Sequence, residues 1–261
     1  MSTEPKLSKT SGGFTLIELL VVAAIIGMLA SLLLPALSRG RAAAVATECR
    51  GNLRDVGLAF RLYLDEFNHY PPTMGWAVLG ANDAYGVLVL SDWKDTLASY
   101  IGVQGDGFVR RSATMRKLRC PQVIRKGDGA RANGQYAYNA SGTAKLRHAS
   151  DLGLGGSADG PHRVQPTPEG RVRMPAALIA AGDIAPGLTL NRIFESASTF
   201  DVCSSDRSMW PGTSHGGGAN MLFCDGHVES ARQTNWVSSS DSVRRRWNND
   251  HEPHPETWER P

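Results

Sequence analysis

Nineteen residues, Leu16 to Leu34, run with a single charged side chain, Glu18, and that run constrains the chain more than any other feature. At about 1.5 Å per residue a helix of this length is roughly 28 Å long, enough to cross the hydrocarbon core of a bilayer. A secretory signal would instead carry a shorter apolar stretch of roughly 7–15 residues with a small-residue cleavage site after it. Here the small residues Gly12 and Gly13 come before the run. A carboxylate within a spanning helix is unfavourable by about 2.5–3.5 kcal/mol at mid-helix, and by less near the interface, so Glu18 needs a partner. Cleavage between Gly13 and Phe14 would create an amine four residues from Glu18, able to meet the Glu18 of a neighbouring copy.

The junction Gly13-Phe14-Thr15-Leu16-Ile17-Glu18-Leu19-Leu20 resembles that of type IV pilins and type II secretion pseudopilins. The resemblance implies cleavage after Gly13 by prepilin peptidase, N-methylation of the Phe14 amine and assembly through Glu18. Its partners would be other pseudopilins or copies of itself, and an inner-membrane secretion or pilus assembly platform. It places the chain in the bacterial inner membrane as a single-pass protein, with its head exported to the periplasm or cell exterior. Pro35 lacks a backbone donor, clashes with the carbonyl of Ser31, and falls where that family often has a kink. One charge rule points the other way, since Lys6 and Lys9 precede the span while Arg39, Arg41, Arg50 and Arg54 follow it. The processing motif requires a cytoplasmic leader, and the cysteines favour an exported domain.

The residues read as a leader over 1–13, a membrane and assembly segment over 14–38, a head over 39–247 and a disordered tail over 248–261. One long helix is expected from 14 to about 67, broken only around Pro35 and Gly40 and ended by Tyr70-Pro71-Pro72. Cys49, Leu53, Val56, Phe60, Leu64 and Phe67 recur at spacings of four and three, which lines them along one face for a globular head. Gly (28 residues) and Pro (14) punctuate the rest, so the fold class is α+β, with a small antiparallel sheet beside that helix. A short helix is expected over Trp93–Val103 and strands at Arg119-Cys120-Pro121, Tyr136–Asn139 and Ala176–Ala181, with a brief edge at Ile193-Phe194. Residues 148–170 read as a loop.

Asp225-Gly226 between two apolar runs predicts a two-residue hairpin of type I′, in which Phe223 faces Val228, Met221 faces Ser230 and Cys224 faces His227. His215, nine residues and then Asp225-Gly226 resemble the H-X9-DG module that accompanies this kind of N-terminus in pseudopilin-like proteins. His215, Asp225 and His227 also invite a metal reading. A structural role accounts for them more simply, with Asp225 in its turn and His215 bonded to a loop carbonyl or to Asp225, and no metal is expected.

The net charge of +3 falls to +2 once Glu4, Lys6 and Lys9 leave with the leader, which gives no electrostatic footprint for nucleic acid. Cys49, Cys120, Cys203 and Cys224 allow three disulfide pairings, of which 49 with 120 and 203 with 224 is favoured; free buried thiols are the alternative. Asp183, Asp201 and Asp206 are candidates for a calcium site of the kind some secretion pseudopilins hold, although no loop has the dense acidic spacing of one. No other cofactor and no catalytic residues are expected. Two rival readings are an anchored module that binds polysaccharide or a secreted substrate through Trp93, Trp210 and Trp236, and an anchored hydrolase.

Overall fold

Helix α1 (Leu16–Phe67) is 52 residues long and passes through Pro35 and Gly40 without the expected breaks. Asn68 closes it with a left-handed φ of 58°, a conformation asparagine tolerates at a helix end, and its N–H donates to the Leu64 carbonyl at 2.8 Å. The computed structural model describes residues 15–72, 74–78, 88–105, 113–114, 117–118, 120–122, 136–144, 151–158, 164–184, 199–203 and 207–257. It divides into two compact units, residues 1–44 and 45–261.

In the first unit the large apolar side chains are exposed: Leu16 is 80% accessible, Leu32 72% and Leu34 66%. No other described helix is long and apolar enough to cross a membrane, and α1 meets that test with a best-window mean hydropathy of 2.6. From Val45 the same helix becomes one-sided, burying Val45, Cys49, Leu53, Val56, Phe60 and Leu64 in the second unit. The expected stripe therefore holds except at its end, where Phe67 remains 45% exposed.

The second unit is built on a four-stranded antiparallel sheet in the order β3-β6-β7-β8, formed by Tyr136–Tyr138, Ile179–Asp183, Gly218–Phe223 and Val228–Arg232. The long helix and this sheet make the α+β, pilin-like layout. Because strand side chains alternate, β3 and β7 feed two cores. Tyr136, Tyr138 and Leu222 join the α1 stripe, whereas Ala137, Ala219, Met221 and Phe223 join Phe200, Trp236 and Trp247. On the α1 side Phe60, Trp93 and Tyr138 stack with ring centroids 5.3–5.7 Å apart. Two short ladders lie outside this sheet: β1 (Met74–Val78) with β2 (Leu88–Asp92), and β4 (Ser157–Ala158) with β5 (Val164–Gln165).

Several local expectations change. The β7–β8 hairpin pairs Leu222 with Val228, Met221 with Glu229 and Asn220 with Ser230, one residue out of the expected register. The cause is its turn: Gly226 N–H donates to Phe223 O and Phe223 N–H to His227 O, both at 2.9 Å, and Gly226 has a positive φ (93°) while Asp225 does not. This is a three-residue loop with a glycine bulge, which adds a residue and moves every partner by one. Cys120 lies outside any strand, with Pro121-Gln122 in a helical turn, and helix α2 covers only Trp93–Leu97. The ladder of β4 and β5 lies within the stretch expected to be a loop. Ile193 and Phe194 fall outside the described residues.

The tail expected to be disordered from Asn248 is instead fixed through Thr257. Asn248 Oδ1 accepts from the Thr143 N–H and hydroxyl, and Asn249 Nδ2 donates to Gly153 O at 2.8 Å. Both asparagines are buried, so these bonds supply the partners that buried amides require.

Gly57 sits where α1 meets the hairpin, and a Cβ there would lie 2.9 Å from Leu222 Cδ1 and 3.3 Å from Gly226 Cα. Gly57→Val should destabilise the fold by about 1–3 kcal/mol through overpacking. Gly51→Ala, where a Cβ meets open space, should stabilise it by about 0.5–1 kcal/mol through helix propensity. Thermal unfolding of the two variants checks the opposite signs.

Candidate functional site

At the start of α1 the Thr15 N–H and hydroxyl donate to Glu18 Oε2 at 2.9 and 2.8 Å, while the Glu18 N–H donates to Thr15 Oγ1 at 3.3 Å. This is a reciprocal capping box, and it follows from Thr-x-x-Glu ahead of an apolar run. The sequence reading assigned Glu18 to assembly and missed this local role, although the spacing carries the signal. Gly13 and Phe14 lie outside the described residues. Residues 8–34 match the family described as the prokaryotic N-terminal methylation motif. That match covers the junction and the apolar run, and supports a pilin- or pseudopilin-like class with single-pass anchoring. No curated protein and no solved structure matches the chain.

A second centre lies inside the head. Cys49 on α1, Cys120 ahead of Pro121, Asp183 at the end of β6 and His215 before β7 bring their donor atoms within 4.8 Å of one another. Cys49 and Cys120 Sγ are 2.8 Å apart, and His215 Nε2 is 3.3 Å from both Cys120 Sγ and Asp183 Oδ2. Asp183 Oδ2 also accepts from the Asn220 N–H and Nδ2, both at 2.8 Å, while Asp183 Oδ1 is buried without a partner among the described residues. Tyr136 OH donates to Cys49 O at 3.3 Å, which ties the helix to β3 at this point.

The electrostatics follow from those contacts. The hydrogen bond from Cys49 is the largest influence on Cys120 and, with help from His215, lowers its thiol to about 6 against burial. The same bond, and then burial, push Cys49 upward. Burial alone would lower His215, but its contacts with Asp183 and Cys120 outweigh that and raise it to about 10. The arrangement resembles a nucleophile with its base, but the geometry differs. A relay needs the carboxylate on one ring nitrogen and the nucleophile on the other, whereas here both face Nε2. Cys120 is also only 2% exposed.

In the sequence these four residues belong to separate expectations, a disulfide, a calcium site and a hairpin motif. Of the two partners expected for His215, a loop carbonyl or Asp225, Asp225 is engaged elsewhere, and His215 Nε2 meets Cys120 and Asp183. Asp225 Oδ1 accepts from the His227 N–H at 3.1 Å and lies 2.6 Å from His227 Nδ1, which fixes the turn. None of the four cysteines is joined in a disulfide. The expected pairing of Cys203 with Cys224 is not made, because Cys203 Sγ donates to Thr143 O at 2.6 Å in one core while Cys224 packs against the other. Asp201 stands apart from the Asp183 group, and Asp206 lies outside the described residues. Of the tryptophans expected at a binding surface, Trp93 and Trp236 are fully buried and Trp210 is half-buried.

Asn220 is 1% exposed and orients the Asp183 carboxylate while accepting a bond from Ser230. Asn220→Asp would set a second carboxylate against the first, and should destabilise the head by several kcal/mol or shift its unfolding strongly with pH. Ser230→Ala, at the exposed end of the same chain of bonds, should cost about 0.5–1.5 kcal/mol. Chemical unfolding of the two variants against the parent tests the order.

Proposed function

We propose that the chain is a membrane-anchored pseudopilin, a structural subunit of a type II secretion pseudopilus or a type IV pilus-like filament. Prepilin peptidase cleaves it between Gly13 and Phe14, and the new Phe14 amine is methylated. Its partners are other pseudopilins or further copies, and the inner-membrane assembly platform, with the head on the exported side. The observation that carries this reading is the methylation motif over residues 8–34, which from Leu16 onward lies on a helix whose large apolar side chains are exposed throughout its first half. Those side chains need lipid or neighbouring helices, and a filament core supplies the second.

Glu18 then acts twice. It caps its own helix through Thr15, and in the filament its charge meets the Phe14 amine of a neighbour. The binding-module alternative loses support because Trp93 and Trp236 are core residues.

The two roles of Glu18 separate by substitution. Glutamine serves in a capping box as glutamate does, so Glu18→Gln keeps the cap and removes the charge. The variant should insert into membranes at the parent's level, keep its head folded and yield at most a tenth of the parent's crosslinked oligomers. Oligomers at parental yield would contradict the charge pairing, and oligomers lost in Glu18→Ala but kept in Glu18→Gln would assign the residue to capping alone.

A further inference from the structure

We propose that Cys49, Cys120, Asp183 and His215 form a structural transition-metal site whose preferred ion is zinc. The inference is independent of the filament reading and would hold for any function of the head.

Four donor atoms from four distant parts of the chain converge within 4.8 Å of one another, with Cys49, Cys120 and Asp183 each at most 3% exposed. Two sulfurs, an imidazole nitrogen and a carboxylate oxygen are a zinc donor set, whereas calcium and magnesium take oxygen alone. With zinc–ligand distances of about 2.0–2.3 Å, a tetrahedral site separates sulfur from nitrogen by about 3.5 Å and nitrogen from oxygen by about 3.3 Å. The corresponding distances are 3.3 Å from Cys120 Sγ to His215 Nε2 and 3.3 Å from His215 Nε2 to Asp183 Oδ2. The sulfurs, 2.8 Å apart, must separate by about 1 Å to reach the tetrahedral edge.

Hydrogen bonding alone leaves this group poorly satisfied. His215 Nε2 carries at most one proton, yet it faces two acceptors at equal distance. Asp183 Oδ1 is buried with no donor among the described residues. A divalent cation at the common centre attracts the sulfurs, the ring nitrogen and the carboxylate together. Loading is a simple exchange. The hydrated ion sheds water, the Cys49 and Cys120 thiols and the His215 ring release to solvent the protons they hold at the ligating atoms, and no electron moves. Two thiolates and one carboxylate against two positive charges leave the centre at −1.

The surrounding contacts support a fixed site. Asn220 holds Asp183 Oδ2 with two donors and is itself held by Ser230, the kind of outer support that orients a ligating carboxylate. Four protein ligands leave no open position for substrate, so the site is a staple and not a reaction centre. It joins α1, the segment before Pro121, the end of β6 and the loop that leads into β7. A disulfide between Cys49 and Cys120 is the competing outcome, and it would join only two of these parts.

The test uses the full chain extracted in detergent without chelator. Elemental analysis by mass spectrometry should find about one zinc per chain. Cys49 and Cys120 should resist alkylation until a chelator is added. Replacing zinc with cobalt(II) should give the visible spectrum of a tetrahedral, thiolate-ligated ion. His215→Ala and Cys120→Ser should lower metal content at least tenfold, whereas Cys203→Ser should leave it unchanged. A Cys49–Cys120 linked peptide in an unreduced digest, with no metal bound, would overturn the proposal. So would an octahedral cobalt spectrum, or full metal retention in both ligand variants. If the ligand variants fail to fold, the cobalt spectrum of the parent chain decides alone.

Discussion

Everything in the head rests on a change of surface along one helix. Up to Ala44 the large apolar side chains of α1 stay exposed, and from Val45 one stripe of them is buried in the second unit while Leu58 and Leu62 on another face remain exposed. The first pattern suits lipid or helix neighbours on every side, and the second suits one face of a folded core. The stripe carries Cys49 and Phe60 to their places, so the buried cluster and the aromatic stack both depend on it. Gly57 marks how close the fit is, because only a residue without a side chain lets the hairpin approach the helix at that point.

Much of this layout is legible in the residues. The apolar run, the stripe from Cys49 to Leu64 and the strand at Tyr136–Tyr138 follow from periodicity and composition. The hairpin was recognisable from Asp225-Gly226, but its register was not, because the same two residues serve either a two-residue turn or a three-residue loop with a bulge. Only the positive φ of Gly226 alone distinguishes them. The tail differs from its expectation because Asn248 and Asn249, polar in sequence, work as buried partners for loop carbonyls and amides. Local composition has no means of announcing a bond to a loop a hundred residues away.

The buried cluster illustrates the same limit. Metal-binding cysteines are readable when they come as closely spaced pairs, and here every member comes from a distant part of the chain. Each was therefore assigned to a nearer explanation, Cys49 and Cys120 to a bond with each other, Asp183 to a loop and His215 to its hairpin. What the sequence offered was an inventory of donor types. The fold supplied their meeting point, through α1 and the central β6–β7 pair of the sheet. At the other end of the chain the reverse holds, since the Thr15–Glu18 cap is written in four consecutive residues.

The central claim is that the chain is processed and anchored as a pilin-like subunit, and its most direct test is the N-terminus of protein extracted from membranes of a host with an active prepilin peptidase. N-terminal sequencing with intact mass measurement should find the chain beginning at Phe14 with one added methyl group, and the unprocessed form should accumulate when the peptidase is removed. A chain that still begins at Met1 in the presence of the peptidase, or one cut beyond Ala36, would contradict the account.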